Sequence, residues 1–138
     1  MTLPTRHDFF VADDARSEKD EKTTLVGYYG GAEVIVTGGA QPPFLLPGLS
    51  LVVVVSGGAG TYQMRAELRD PNSNDLGPPI SGEVQKEPAK SLTLSFRIAP
   101  FRVPAFGNYR MTVQLRENEQ TRDYACPFYI GSTPSGLL

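Results

Sequence analysis

The chain has 138 residues, 40% of them apolar and 20% charged, with a formal net charge of −2. That length matches the roughly 100–200 residues of one domain, and the balance excludes both a disordered polyelectrolyte and the basic footprint of a nucleic-acid binder. One cysteine excludes an internal disulfide, one histidine leaves little for a transition-metal site, and 14 glycines with 12 prolines favour short elements joined by turns.

In chain order, the first residues carry no apolar run of signal-peptide length, and Asp8–Ala12 reads as a short strand. Asp13 to Lys22 is acidic (Asp13, Asp14, Glu18, Asp20, Glu21) but interleaved with Arg16, Lys19 and Lys22. It lacks the turn glycine and ligand spacing of a calcium loop and reads as a self-neutralising solvated segment, with at most a turn or two of helix. Thr23–Tyr29 and Ala32–Thr37 flank Gly30-Gly31, which makes them either a hairpin or one strand broken by a bulge. Leu49–Ser56 is apolar at successive positions, as a central strand covered on both faces would be. Ser56-Gly57-Gly58-Ala59-Gly60 supplies the positive-φ residues of a hairpin turn. As a phosphate cradle it lacks the following lysine and the helix N-terminus.

Strict alternation then recurs. In Thr61–Arg69 the inward set is Tyr62, Met64, Ala66 and Leu68; in Ser91–Ala99 it is Leu92, Leu94, Phe96 and Ile98; in Asn108–Arg116 it is Tyr109, Met111, Val113 and Leu115. Arg122–Ile130 follows suit, and Pro127, lacking an amide donor, assigns it to a sheet edge. Residues 70–79 form a long polar loop, and 132–138 a flexible tail beyond a single domain at 1–131. Seven to eight strands at this spacing predict an all-β antiparallel sandwich. The Pro-containing corner at Pro100 and the Gly107-Asn108-Tyr109 entry to a strand resemble the tyrosine corner of immunoglobulin and fibronectin-like sandwiches. That resemblance implies that the Tyr109 phenol bonds the corner backbone.

The segment Phe10-Val11-Ala12-Asp13-Asp14-Ala15-Arg16-Ser17-Glu18, followed by Lys22-Thr23-Thr24-Leu25-Val26-Gly27-Tyr28-Tyr29-Gly30, resembles the opening of a family of small bacterial proteins with no assigned activity. Asp-Asp-x-Arg-x-Glu precedes Lys-x-x-Leu-x-Gly-x-Tyr in both. The resemblance implies a bacterial cytosolic protein. Physically, Arg16 between Asp14 and Glu18 can hold the loop by charge-assisted hydrogen bonds while Leu25 and Tyr28 or Tyr29 anchor the next strand.

Catalytic chemistry is sparse. Cys126 lies in phase with Tyr124, Phe128 and Ile130 and reads as a buried structural thiol, and His7 reads as a surface residue. The leading expectation is a non-enzymatic cytoplasmic module, without cofactor, metal, nucleic acid or membrane, that works through contact with a protein partner or a second copy of itself. The outward arginines Arg65, Arg69, Arg97, Arg110 and Arg116 would form a cationic stripe if their strands are neighbours in one sheet. The prolyl loops around Phe44 and Phe101 either cap the core or add contact surface. Glu33-Val34-Ile35-Val36 should be internal or buried in a homodimer. Two alternatives are a carbohydrate or small-ligand module built on Tyr28, Tyr29 or Tyr62, and a hydrolase using Asp13, Asp14 or Glu18.

Overall fold

Period-two alternation fixes which side of each strand is apolar, and two such faces can leave water only by meeting. A computed structural model describes residues 2–19 and 22–132. Among them are eleven strands: β1 (Arg6–Ser17), β2 (Thr23–Tyr29), β3 (Glu33–Val36), β4 (Phe44–Leu46), β5 (Leu49–Ser56), β6 (Gly60–Arg69), β7 (Ile80–Lys86), β8 (Leu92–Ile98), β9 (Phe101–Val103), β10 (Gly107–Glu117) and β11 (Gln120–Ser132). A four-stranded sheet runs β2-β1-β5-β8, a five-stranded sheet runs β3-β11-β10-β6-β7, and β4 pairs with β9. The chain is all-β.

The count exceeds the expected seven to eight because β4, β7 and β9 lack a legible alternation. Two of them are three residues long, and β7 is mostly exposed and polar. The pairing is also not wholly antiparallel, since β3 runs parallel to the end of β11, with Tyr129 opposite Glu33 and Ser132 opposite Val36. Thr23–Tyr29 and Ala32–Thr37 are therefore neither a hairpin nor one bulged strand. A 3-10 turn at Gly30–Ala32, with Gly31 at φ 65° and Ala32 at φ 54°, moves the chain from one sheet to the other. The 56–60 turn likewise links different sheets, β5 to β6. The first strand runs on to Ser17, so Asp13, Asp14 and Arg16 lie on a strand, not in a loop or helix; Asp20 and Glu21 of the acidic segment lie outside the described residues. Of the expected tail, Ser132 belongs to β11 and residues 133–138 lie outside the described residues.

β5 is central, as read from its valines, and lies between β1 and β8. Its inner residues Leu49, Leu51, Val53 and Val55 are fully buried. They share one core with Tyr62, Tyr109, Met111, Val113, Leu115, Cys126, Phe128 and Ile130 of the five-stranded sheet. Each such aliphatic side chain contributes about 1.5–3 kcal/mol by leaving water. Phe9 and Phe128 bring the two sheets together with ring centres 6.1 Å apart.

The β11 edge is half covered. β3 pairs only from Tyr129 onward, and Pro127 falls just before that pairing begins, where its missing amide costs no ladder bond. Over the rest of the edge the N-terminal segment closes in. Tyr124 Oη and Arg122 Nη1 both donate to the Pro4 carbonyl, at 2.6 and 2.8 Å. The His7 Nε2–H reaches the Ala125 carbonyl at 2.9 Å. The polar 70–79 loop is ordered by Asp70, whose buried carboxylate accepts the amides of Asn72 and Asn74 at 2.8 and 3.0 Å.

Tyr109 donates its phenol to the Ala105 carbonyl at 2.6 Å and stacks on Phe128 at 5.4 Å. Tyr109→Phe keeps the ring and removes the bond, leaving a part-buried acceptor. The expected loss is about 1–3 kcal/mol, read as a lower denaturant midpoint with an unchanged far-ultraviolet circular dichroism spectrum. An unchanged midpoint would show that the phenol contributes nothing to stability.

Candidate functional site

The acidic motif is taken up by structure. On β1, Asp13 and Asp14 point to opposite faces because adjacent residues of a strand must. Asp13 lies opposite Gly27 of β2, where φ is +68° and a Cβ would run into the Asp13 carboxylate. The same carboxylate accepts the Tyr29 hydroxyl at 2.5 Å. Burial, and next the bond to Asp13, push the Tyr29 phenol up to about 12. On the outer face Asp14 accepts Arg16 Nε at 3.4 Å and faces Arg97 of β8 at 3.7 Å. Arg97 also donates to the Asp13 carbonyl, reaching across β5 above Ser50, which is fully buried and whose hydroxyl has no partner. Glu18 contributes through its backbone, its N–H bonding the Lys22 carbonyl at 2.7 Å where β1 turns towards β2. The spacing Gly-x-Tyr therefore has a mechanical reason. The glycine makes room for a carboxylate that then holds the tyrosine.

The expected arginine stripe divides. Arg65 and Arg69 of β6 and Arg110 and Arg116 of β10 share the outer face of the five-stranded sheet, with Arg110 directly opposite Arg69. Arg97 lies in the other sheet and is spent on the Asp13–Asp14 segment, so it is no part of that face. Glu67 binds Arg65 at 3.0 Å and Arg69 at 3.5 Å, and Asp75 adds a contact to Arg69 at 3.3 Å. Arg110 and Arg116 form no ion pair among the described residues.

The aromatic candidates separate by burial. Phe101 is 1% exposed and packs on Tyr109 and Phe128, so it is core and not contact surface; β9 turns it inward. Phe44, half-buried on β4, packs on Phe106 at 6.0 Å between ring centres. Tyr62 is fully buried and donates to the Thr2 carbonyl at 2.6 Å, which removes it as a ligand platform. Tyr28 is 54% exposed beside Phe10 on the outer face of the four-stranded sheet. Cys126 is buried, and burial pushes its thiol up to about 12, which disfavours the thiolate.

A feature not read from the sequence lies at the end of the molecule where the 56–60 and 87–91 connections cross between the sheets. They frame an open cleft of about 740 Å³ bordered by Arg6, Lys86 and Lys90. No sequence spacing relates these three residues. The turn glycines were visible, but the strand that brings a lysine to them was not.

Among the described residues no group of three or more histidine, cysteine or acidic side chains could hold a metal ion, and no helix is long and apolar enough to cross a membrane. The fold and these surfaces define an all-β protein of two facing sheets with an open cleft at one end. The chain belongs to a family of unknown function, DUF6941, whose model matches residues 7–130. No curated protein matches it.

Gly27→Ala tests the Asp13 contact. Gly31 has the same backbone sign, φ +65°, but open space where a Cβ would go. Gly31→Ala should cost about 1–2 kcal/mol for the left-handed backbone alone, whereas Gly27→Ala should cost more by the displacement of Asp13 and the loss of the Tyr29 bond. Equal losses in chemical denaturation would mean that the carboxylate adapts freely.

Proposed function

We propose that this chain is a non-enzymatic sandwich of the immunoglobulin or fibronectin-like kind, cytoplasmic and bacterial, which acts by protein–protein contact and pairs with a second copy of itself through β3. Three features support the architecture. The order β1-β5-β8 faces β11-β10-β6-β7 as the two sheets of a variable-type immunoglobulin domain do, the consecutive strands β2 and β3 edge different sheets, and Tyr109 bonds back to its corner. The bacterial and cytosolic reading rests on the resemblance of the 10–30 segment and on the single reduced thiol.

The observation that carries the contact reading is the β3 edge. Glu33–Val36 ends the five-stranded sheet, and among the described residues its outer backbone groups are unpaired. Beside it, Ile35 is 44% and Tyr129 39% exposed. Gly131, opposite Ile35, has no side chain, and the Tyr129 ring lies over it. Tyr129 and Ile35 thus form one apolar patch along a bare edge, the combination that natural sheets avoid leaving in water. A two-fold axis through Ile35 would set it against the partner's Ile35 and place Val34 opposite the partner's Val36. That register keeps the buried face continuous across both copies. Glu33 would then face Thr37, so no like charges meet.

Ile35→Lys sets two ammonium groups against each other across that axis, and like charges directly opposite are destabilising. Light scattering after size exclusion should give twice the chain mass for the unmodified protein at high concentration and the chain mass for Ile35→Lys. Val34 is 2% exposed and belongs to the core, so lysine there reports on folding instead. A monomer at every concentration would overturn self-pairing.

A further inference from the structure

We infer that the cleft between the 56–60 and 87–91 connections binds the phosphate group of a small soluble anion, with Lys86 as its buried cation. The glycine turn alone lacked the lysine that a phosphate loop uses, and the fold supplies one from β7 instead. Lys86 pairs in register with Gly60 and is 5% exposed. Its Nζ donates to the carbonyls of Gly58 at 2.8 Å and Glu87 at 3.3 Å. Among the described residues that leaves one of its three N–H groups without an acceptor. No carboxylate of the described residues comes within 4.0 Å of it. The buried carboxylate of Glu117 abuts Gly60 and does not reach the ammonium.

A buried ammonium satisfied only by neutral carbonyls retains most of its desolvation cost, and an anion offsets that cost most directly. The surroundings suit one. Arg6 borders the same cleft, as does Lys90, which also pairs with Glu87 at 3.2 Å. The hydroxyls of Ser56 and Ser91, bonded to each other at 3.3 Å, line its wall, and whichever accepts in that bond keeps its own proton for a ligand. The backbone at Gly57 and Gly58, with φ of 82° and 68°, folds against Thr5 and Thr2 so closely that side chains there would collide. The two glycines therefore let this turn pack directly on the N-terminal segment at the cleft's border. At about 740 Å³ the cleft is in the size range of small-molecule sites, about 300–1,000 Å³. The ligand is accordingly a pyrophosphate or a small phosphorylated metabolite, held by its phosphate.

Titration of the isotope-labelled protein with sodium pyrophosphate at low ionic strength tests this. Amide shifts should centre on Gly57, Gly58 and Ser91. Calorimetry should show affinity falling about tenfold in Lys86→Met and again in Arg6→Gln, as loss of a charge-assisted hydrogen bond implies. Arg110→Gln, on the five-stranded sheet's outer face, should bind as the unmodified protein does. If Lys86→Met does not fold by circular dichroism, Arg6→Gln and Ser91→Ala carry the test, since both residues are exposed. Shifts centred on Arg65 and Arg110, unchanged affinity in the cleft variants, or no binding would overturn the proposal. So would sedimentation with phosphatidic acid vesicles without any response to pyrophosphate, because the phosphate recognised would then belong to a lipid surface. None of these outcomes depends on the oligomeric state assigned through β3.

Discussion

Burial of β5 on both faces is the constraint from which the rest of the molecule follows. Its inner residues meet the opposing sheet, which is ordinary for a sandwich core. Its outer residues have no second layer above them, yet Ser50 and Val52 are buried as well. The cover comes from the neighbouring strands: Phe10 and Tyr28 from one side, and the long arm of Arg97 from the other. An arginine whose alternation marks it as solvent-facing thereby becomes a strap, lying along apolar surface and ending on a carbonyl and a carboxylate. The doublet Asp13-Asp14 exists in this setting as a two-sided fastening, one carboxylate per face.

The same geometry explains which parts of the structure could be read from the residues. Strands with an unbroken two-residue period, such as Leu92–Ile98 and Gly107–Glu117, were legible to within a residue or two, because burial of one face writes itself into the alternation. The Pro-containing corner before Tyr109 was legible for the same reason, a local pattern with a local bond. What escaped was non-local. The change of sheet at Gly30–Ala32 looked like a hairpin because both have paired glycines, and the partner of β3 lies at the far end of the chain. The arginines were correctly placed in the solvent phase, but phase does not say which sheet a strand joins, so Arg97 was grouped with residues on the opposite side. Phe101 caps the core, one of the two readings its loop allowed, and a three-residue strand has too few positions to display the period that would decide between them. The lysine of the cleft was invisible for the reason that most sites are: its neighbours are made by topology.

Two kinds of cationic surface result. On the five-stranded sheet the charges lie in a row on a flat, wet face, and Glu67 and Asp75 answer two of them. Such pairs are screened and contribute little to stability. At the cleft one ammonium has been taken out of water, and among the described residues it bonds only to carbonyls. The first arrangement favours broad electrostatic steering of an acidic partner. The second favours an anion small enough to reach that ammonium and accept its remaining N–H.

The parallel pairing of β3 with the end of β11 also orders events during synthesis. Residues 33–36 leave the ribosome long before residues 129–132, the last of the described chain to emerge. Until then Val34, Ile35 and Val36 have no partner within their own chain, while β1 and β2 can already close their hairpin beside them. Nascent chains on one message are held close together, and an uncovered strand in that interval is most exposed to the same strand on the next chain. Whatever contact β3 makes in the finished protein, its sequence must be tolerable in that crowded, half-translated state. A single charge at Glu33 and a length of four residues are features of the kind that blunt an exposed edge.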